Sequence, residues 1–539
     1  MPSRSVAARD ATWLFFGSLA IALGLLLANA AVPYDRWPNR SDDCFYYLLL
    51  ARHAVLHGIV SADGLRPTNG FHPLYFLILR ALDPLVGERA LPNVALAVLA
   101  LAHAAAAVIL WRTLRRITSE VLAGAIAAIY VANLAVLRIV FAAVETPVMV
   151  LCLAAALWAH LRWLERGATR DRAVALIALA LAATARTDAV FLGAALALSP
   201  ALGPARARAW RDVARAVDIA PLVATAIPIV AFGVWGRIAT GEFVQTSGRA
   251  LSFWQSADYW RLLLDALVRF GGSRTTVATL FYGLTIVVQY VIDVARAPFE
   301  LLARHPVGPL LAVAAIGAWL GARSRAARGA AAATGAAAGL RRTLALFLLL
   351  QWAFYAVAFR HGQIWYWHSS LYVAALLVAT ACDPLRAWLD ARAAAIRTPR
   401  GVAALALLLA LAVTWFTLGP LRPARPIAVS ASVAAAPAAP DPLRLVPDGA
   451  TLGAFDSGRL GWEEPRLVVV NLDGLVNNAA FRALRDRRIG DWMLGQRIEW
   501  FYANDVVVRR FAPFGLGAWL DRARPIARSA TGVVLYRLR

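Results

Sequence analysis

Two adjacent carboxylates, Asp42 and Asp43, follow directly on the first apolar run of the chain. Near a bilayer, a carboxylate is costly unless it faces water, a cation or a substrate. Side by side, the two could take a proton from an acceptor hydroxyl or hold a divalent metal against a phosphate. They also suit a plainer role, since Ser41 and Asp42 are both good helix N-caps, and the two roles can coexist. The segment SADGLRPTNGFHPLY follows at residues 61–75. Its Pro67, Asn69, Gly70 and Pro73 set turns that bring Asn69 and His72 beside the acids. Taken alone, this segment reads as a structural loop.

Other polar residues interrupt apolar surroundings further along. Glu145 lies in AAVETPVM, where it is either a functional acid or a helix cap favoured by the dipole. Arg186 and Asp188 break the run TARTDAVFL. They pair with one another or neighbouring helices, or mark a helix break where the arginine holds a phosphate. RHGQIWYWHSS, at residues 360–370, carries Gln363, Trp365, Tyr366 and His368. Its aromatics form an interfacial belt or a surface that stacks on sugars. EFVQTSGRA, at 242–250, adds hydroxyls and Arg249.

The elements that must position these residues are membrane helices. The chain of 539 residues is 60% hydrophobic and only 16% charged, too little charge for a soluble surface of this size. Apolar runs near 20 residues recur, each long enough to cross a hydrocarbon core of about 30 Å. The first, around 11–32, reads as an uncleaved helix with its N-terminus inside. Further spans are expected near 91–111, 121–138, 146–163, 173–201 (as one helix or two short ones), 217–235, 276–295, 307–322, 343–359, 368–382 and 401–419. The stretches 71–86 and 276–322 upset the inside–outside parity, so 11–13 crossings are expected. CFYYLLLARHAVLHG, at 44–58, suits a helix lying along the interface, with Arg52, His53 and His57 on its polar side.

The net charge of +23 comes from 55 basic residues, all of them arginine. They cluster in short loops such as 112–119, 162–172, 205–215 and 383–400, the pattern of loops held on the cytoplasmic side. This accounts for the charge through topology and anionic lipid, and argues against nucleic acid as a partner. Three cysteines, Cys44, Cys152 and Cys382, are too scattered for a disulfide framework or a zinc site. The run from Arg323 to Arg342 reads as a flexible cytoplasmic loop. The transmembrane domain is expected over 1–420, with 33–70 as its first external loop. A Pro- and Ala-rich linker covers 421–442, and a small α/β domain covers 443–539 on the outer face. TLGAF, RLVVVNL, DVVVRR and GVVLYRL are its expected strands, and AAFRALRD a helix.

Taken together, these residues resemble the GT-C glycosyltransferases, closest to a bacterial branch with DD-x-[FY]-YY and DG-x-x-PTNGFHPL motifs. Here those are Asp42, Asp43, Phe45, Tyr46 and Tyr47, then Asp63, Gly64 and Pro67 to Leu74. Glu145, Thr146 and Pro147 match a Met-Glu-Thr-Pro motif in which Val144 replaces the Met. GAFDSGRLGW and VVVNLDGLVNN match through Asp456, Gly458, Asn471, Asp473, Gly474 and Asn477. The resemblance implies an all-α polytopic GT-C-like membrane body with a C-terminal extracytoplasmic α/β domain. It also implies a multi-pass protein of a bacterial inner membrane. Its activity would be inverting transfer of a sugar from a polyprenyl-phosphate carrier to an envelope glycan, lipid or protein acceptor.

On that reading Asp42 is the base, and Asp43 supports it or binds a divalent cation such as Mg2+ or Mn2+. Arg186, Arg249 and Arg360, with His72 and Glu145, are expected on the donor phosphate. Asn69, Gln363, Trp365, Tyr366 and His368 are expected around acceptor or sugar, and the C-terminal domain is expected to bind acceptor. The alternative is a transporter or flippase of a lipid-linked glycan. It would call for internal repeats and broken helices in corresponding halves, and no repeat is found.

Overall fold

A bilayer offers backbone groups no hydrogen-bond partners, so apolar runs of this length fold as helices. The computed structural model describes residues 3–34, 41–201, 216–254, 335–355, 364–381, 441–529 and 532–539. Its helices before the C-terminal domain run α1 (Ser3–Ala30), α2 (Asp42–Leu56), α3 (Pro73–Ile117), α4 (Glu120–Val131), α5 (Leu134–Phe141) and α6 (Thr146–Arg166). They continue as α7 (Thr169–Ala185), α8 (Val190–Leu198), α9 (Ala220–Thr240), α10 (Gly335–Ala353) and α11 (His368–Ala381). Among the described residues, α3, α6, α9 and the part of α1 from Thr12 are long and apolar enough to cross a membrane. Ile21 on α1 and Ile238 on α9 are 69% and 81% exposed, apolar surface that only lipid covers at no cost. The chain is a multi-pass membrane protein.

Several expectations are corrected. The stretch 71–86 is helical from Pro73, but α3 breaks at Gly87 before continuing through the expected span at 91–111. The expected helix over 121–138 is two, α4 and α5, separated at Ala132 and Asn133; the Asn133 carboxamide accepts the Val136 N–H and restarts the chain. The run expected as a loop to Arg342 is helical from Gly335, since its alanines are strong helix formers. The spans expected at 276–295, 307–322 and 401–419, the loops 205–215 and 383–400, and nearly all of the linker lie outside the described residues.

By its internal contacts the chain forms two units. The first comprises Met1–Asn39, Asn93–Ile229 and Val291–Arg422. In it Phe15 of α1 stacks on Trp111 of α3 at 5.5 Å. Helices α6 and α7 form an antiparallel hairpin whose turn gathers basic residues. Arg116 pairs with Glu165, and Arg162 lies 3.0 Å from Asp171. These arginines share one end of the hairpin, as cationic loops held on one membrane side require.

The second unit comprises Arg40–Pro92, Val230–Tyr290 and Pro423–Arg539. It holds α2 and the C-terminal domain, built from β1 (Thr451–Ala454), α12 (Gly458–Glu463), β2 (Val468–Asn471), α13 (Asn478–Arg485), α14 (Ile489–Gly495) and β3 (Trp500–Ala503). It continues with α15 (Asp505–Phe511), α16 (Gly517–Leu520), β4 (Ala523–Arg528) and β5 (Val534–Leu538). The sheet order is β2-β1-β3-β5-β4; β1 pairs parallel with β2 and β3, and the remaining pairs are antiparallel. Phe501, Trp519, Leu484 and Met493 fill the core on one face. DVVVRR, expected as a strand, is helix α15. Asn504 ends β3 and caps the helix by accepting the Val507 N–H at 2.9 Å.

Candidate active site

Ser41 caps α2 by accepting the Asp43 N–H at 3.2 Å, so both acids occupy its first turn, where the helix dipole favours negative charge. Cys44 to Ala51 are all buried in sequence. Consecutive burial covers every face of a helix, so α2 is enclosed by protein here rather than half-open along an interface. Arg52, expected on the polar side, bonds Glu88 at 2.7 Å and Asp83 at 3.4 Å.

The partners of Asp42 and Tyr46 come from the C-terminal domain. Asp42 Oδ2 accepts the Gly458 N–H at 3.0 Å and Oδ1 the Arg459 N–H at 2.8 Å. One turn on, the Tyr46 hydroxyl accepts from the Ser457 N–H and Asn471 Nδ2, both at 3.0 Å, and donates to Asp473 Oδ2 at 3.3 Å. Asp473 Oδ1 accepts the Leu475 N–H at 2.8 Å. Burial raises the Asp42 carboxyl above its ordinary range, against the Arg459 and Gly458 N–H groups and the Tyr46 hydroxyl, which favour its charge. Burial, and then the charge of Asp456, push Asp473 up to about 7. Asp456 adopts a left-handed φ of +50° between these groups. Desolvation and the charge of Asp42 raise its carboxyl too.

Asn69 is buried and commits its whole carboxamide to protein. Its Nδ2 donates to the Glu242 and Val244 carbonyls at 2.9 and 3.3 Å. Its Oδ1 accepts from Thr246 Oγ1 at 2.7 Å and Asn478 Nδ2 at 2.9 Å. Thr68 Oγ1 adds a bond to Asn478 Oδ1 at 3.0 Å. The His72 N–H donates to the Tyr47 hydroxyl at 3.2 Å, and its Nδ1 lies 3.5 Å from Gln245 Nε2. Arg249 pairs with Glu242 at 2.5 Å and covers the Phe481 ring. Burial works against the Glu242 charge, but Arg249 and then Arg482 outweigh it and lower the carboxyl. The motif loops 61–75 and 242–250 thus meet the C-terminal domain at Asn478.

The first unit holds a separate polar cluster at the break between α7 and α8. Arg186 bonds Glu145 at 2.5 Å and Asp188 at 3.1 Å, and its guanidinium lies over the Tyr366 ring. The Tyr355 hydroxyl donates to Asp188 Oδ2 at 2.5 Å. The hairpin explains the meeting: α6 starts beside Glu145, and α7 returns to the same end at Arg186. His368 is buried, 3.2 Å from the Tyr130 hydroxyl and 3.4 Å from Thr146 Oγ1. Trp365 is half-buried in the turn Ile364–Trp367. Arg360 and Gln363 lie outside the described residues.

Sequence reasoning assigned no role to Tyr46, Asn471, Asp473 or Asn478. Tyr46 carried a signal: four residues beyond Asp42, it shares that residue's helix face. No spacing rule links it to a strand end more than 400 residues away. Among the described residues no three His, Cys, Asp or Glu side chains gather as metal ligands.

An apolar multi-helix body with a small C-terminal sheet domain is a fold that the chain shares with solved membrane oligosaccharyltransferases. The particular likeness is to the oligosaccharyltransferase of the archaeon Archaeoglobus fulgidus. The complex of that protein, AglB, with an inhibitory peptide and a dolichol-phosphate aligns at TM-score 0.54 and 13% identity, over 98% of this chain and 74% of the other. The form tethered to an acceptor peptide containing the NVT sequon aligns at 0.50 and 14%, over the same shares. The complex with zinc and sulfate gives 0.50 and 14%, over 97% and 73%. No protein-family model and no curated protein matches the sequence.

Proposed function

We propose that the chain is an inverting glycosyltransferase that moves a sugar from a polyprenyl-phosphate carrier to an envelope acceptor on the extracytoplasmic face. The observation that carries this reading is the grip on Asp42 within a GT-C fold. Two backbone N–H groups fix both carboxylate oxygens, and each oxygen keeps a second lone pair for an incoming hydroxyl. Asp42 takes the proton of the acceptor hydroxyl as that oxygen attacks the anomeric carbon, and the bond to the lipid phosphate breaks with inversion. The raised carboxyl makes it a better base than an ordinary aspartate. Asp43 assists, and the exposed part of Arg249 beside the motif loops stabilises the departing phosphate. Arg186 acts differently in this reading: committed to Glu145 and Asp188, it holds the α7–α8 break. Asn69 likewise braces the loops. The dolichol-phosphate and acceptor peptide held by the structural relatives support a lipid-phosphate donor and a separate acceptor.

The test uses protein purified into lipid nanodiscs, a panel of polyprenyl-phosphate sugars and an envelope extract as acceptor. One donor should be consumed with release of polyprenyl phosphate. Asp42→Asn should lower turnover by about 10²- to 10⁴-fold, the usual contribution of a general base. Turnover in Asp42→Asn equal to wild type would remove Asp42 from the chemistry. No turnover with any donor, joined to tracer movement across sealed vesicles, would favour the transporter. An EDTA titration of the same reaction reads metal dependence directly.

A further inference from the structure

In open sheets with parallel strands, ligands bind beyond the carboxyl ends of the strands, where the strand order reverses. In the C-terminal domain those ends carry Asp456 to Arg459 after β1 and Leu472 to Asn477 after β2. The group seated there belongs to the chain itself. The Asp42 carboxylate receives the Gly458 and Arg459 N–H groups as a bound anion would. Tyr46 fills the space beside it, with its hydroxyl bonded to Ser457, Asn471 and Asp473. The fit leaves no slack. A Cβ on Gly458 would lie 2.5 Å from the Asp42 carbonyl oxygen, and one on Gly70 1.9 Å from the Leu475 carbonyl oxygen.

We propose that the C-terminal domain is a built-in clamp for Asp42, and that Tyr46 is the positioning residue through which it sets the orientation of that carboxylate. This rests on the transferase reading and revises one part of the sequence-based expectation, in which the domain serves acceptor binding. The strand ends that would receive a ligand are taken by Asp42 and Tyr46. The domain therefore acts on turnover rather than on affinity. The geometry dictates how Tyr46 works. Its single proton goes to a carboxylate in the turn after β2, and its lone pairs take two N–H donors, one from the turn after β1 and one from the last residue of β2. It thereby ties both turns to the helix that carries Asp42, one turn of α2 away. A misplacement of about 1 Å in a reacting group can cost on the order of a hundredfold in rate.

The test compares wild type with Tyr46→Phe, which keeps the ring and removes only the hydroxyl, in nanodiscs. Two readouts are taken: amide hydrogen exchange across 456–462, and separate kcat and KM values for donor and acceptor. The expected result is exchange at Gly458 and Arg459 faster by about tenfold or more. The amides of β1 and β3 should stay protected, with kcat lower by about 10- to 100-fold and both KM values within about twofold. An acceptor KM that rises with kcat unchanged would overturn the clamp in favour of an acceptor receptor. Unchanged exchange at 458–459 would also overturn it. If Tyr46→Phe exposes the whole sheet, Gly458→Ala, which acts from the turn and not the core, decides by the same readouts. Failure of the transferase reading looks different: wild type turns over no donor while 458–459 remain protected. Failure of the clamp alone shows as a working wild type and Tyr46→Phe at the same kcat.

Discussion

Gly70→Ala isolates the docking of the PTNG turn from everything else the chain does. The added methyl would lie 1.9 Å from the Leu475 carbonyl oxygen, 2.9 Å from its carbon and 3.1 Å from Val476 Cα. All three are backbone atoms, so no side chain can swing aside. Either the turn lifts or the 472–477 loop shifts, and that loop is pinned by Asp473, Asn471 and Asn477. Overpacking costs about 1–3 kcal/mol. Lifting the turn also strains the bonds from Thr68 and Asn69 to Asn478, each worth about 1 kcal/mol. A local penalty of about 3 kcal/mol corresponds to on the order of a hundredfold in an opening equilibrium. Amide exchange of 59–72 by mass spectrometry reads this directly, with the Thr68 N–H, bonded to the Val60 carbonyl at 2.9 Å, as reporter. Gly17→Ala serves as control, because a Cβ there meets nothing within 4 Å. Exchange in Gly70→Ala within threefold of wild type would refute the reasoning, since the close approach would then not be what holds the turn.

The remaining predictions concern charge. Arg186→Ala leaves Glu145 and Asp188 as buried carboxylates without their cation, a loss of about 3–5 kcal/mol. The thermal midpoint in detergent should fall by about 3–4 °C, and an unchanged midpoint would refute the pairing. Stability of the C-terminal domain should decline as pH rises. The folded Asp473 carboxyl titrates near 7 against an ordinary 3.8, so the folded state binds the extra proton between those values. That stability is complete below about pH 4 and gone above about pH 7, a swing on the order of 4 kcal/mol. Asp42 and Asp456 are raised as well and add in the same direction. Denaturant midpoints from pH 4 to 8, followed by tryptophan fluorescence, check the slope. A midpoint that climbs with pH would reverse the sign and sink the argument.

The parts of the fold legible in the sequence are those fixed by local chemistry. Apolar length gave the membrane helices, and a charge beside a span drew attention to Asp42, Glu145 and Arg186. Strands β1, β2 and β5 were visible as runs of branched and apolar residues. Strand β4 was not, because Arg524, Pro525 and Arg528 give an edge strand a polar, proline-broken pattern. DVVVRR misled because three valines favour a strand, while a single capping bond from Asn504 decides for helix. The break at Arg186 was readable, but its pairing with Glu145 depends on how α6 and α7 double back. The network around Tyr46 joins residues 411 to 427 positions apart, and no periodicity in one sequence spans that distance.

The bond between Asp42 and Gly458 bridges 416 positions, and this has a consequence in time. At ribosomal speeds of about 5–20 residues per second, roughly 20 to 80 s pass between synthesis of the two ends. Throughout that interval the acidic turn lacks the N–H groups that will hold it. A nascent chain thus carries its acidic pair long before the N–H groups that fix Asp42 have been made.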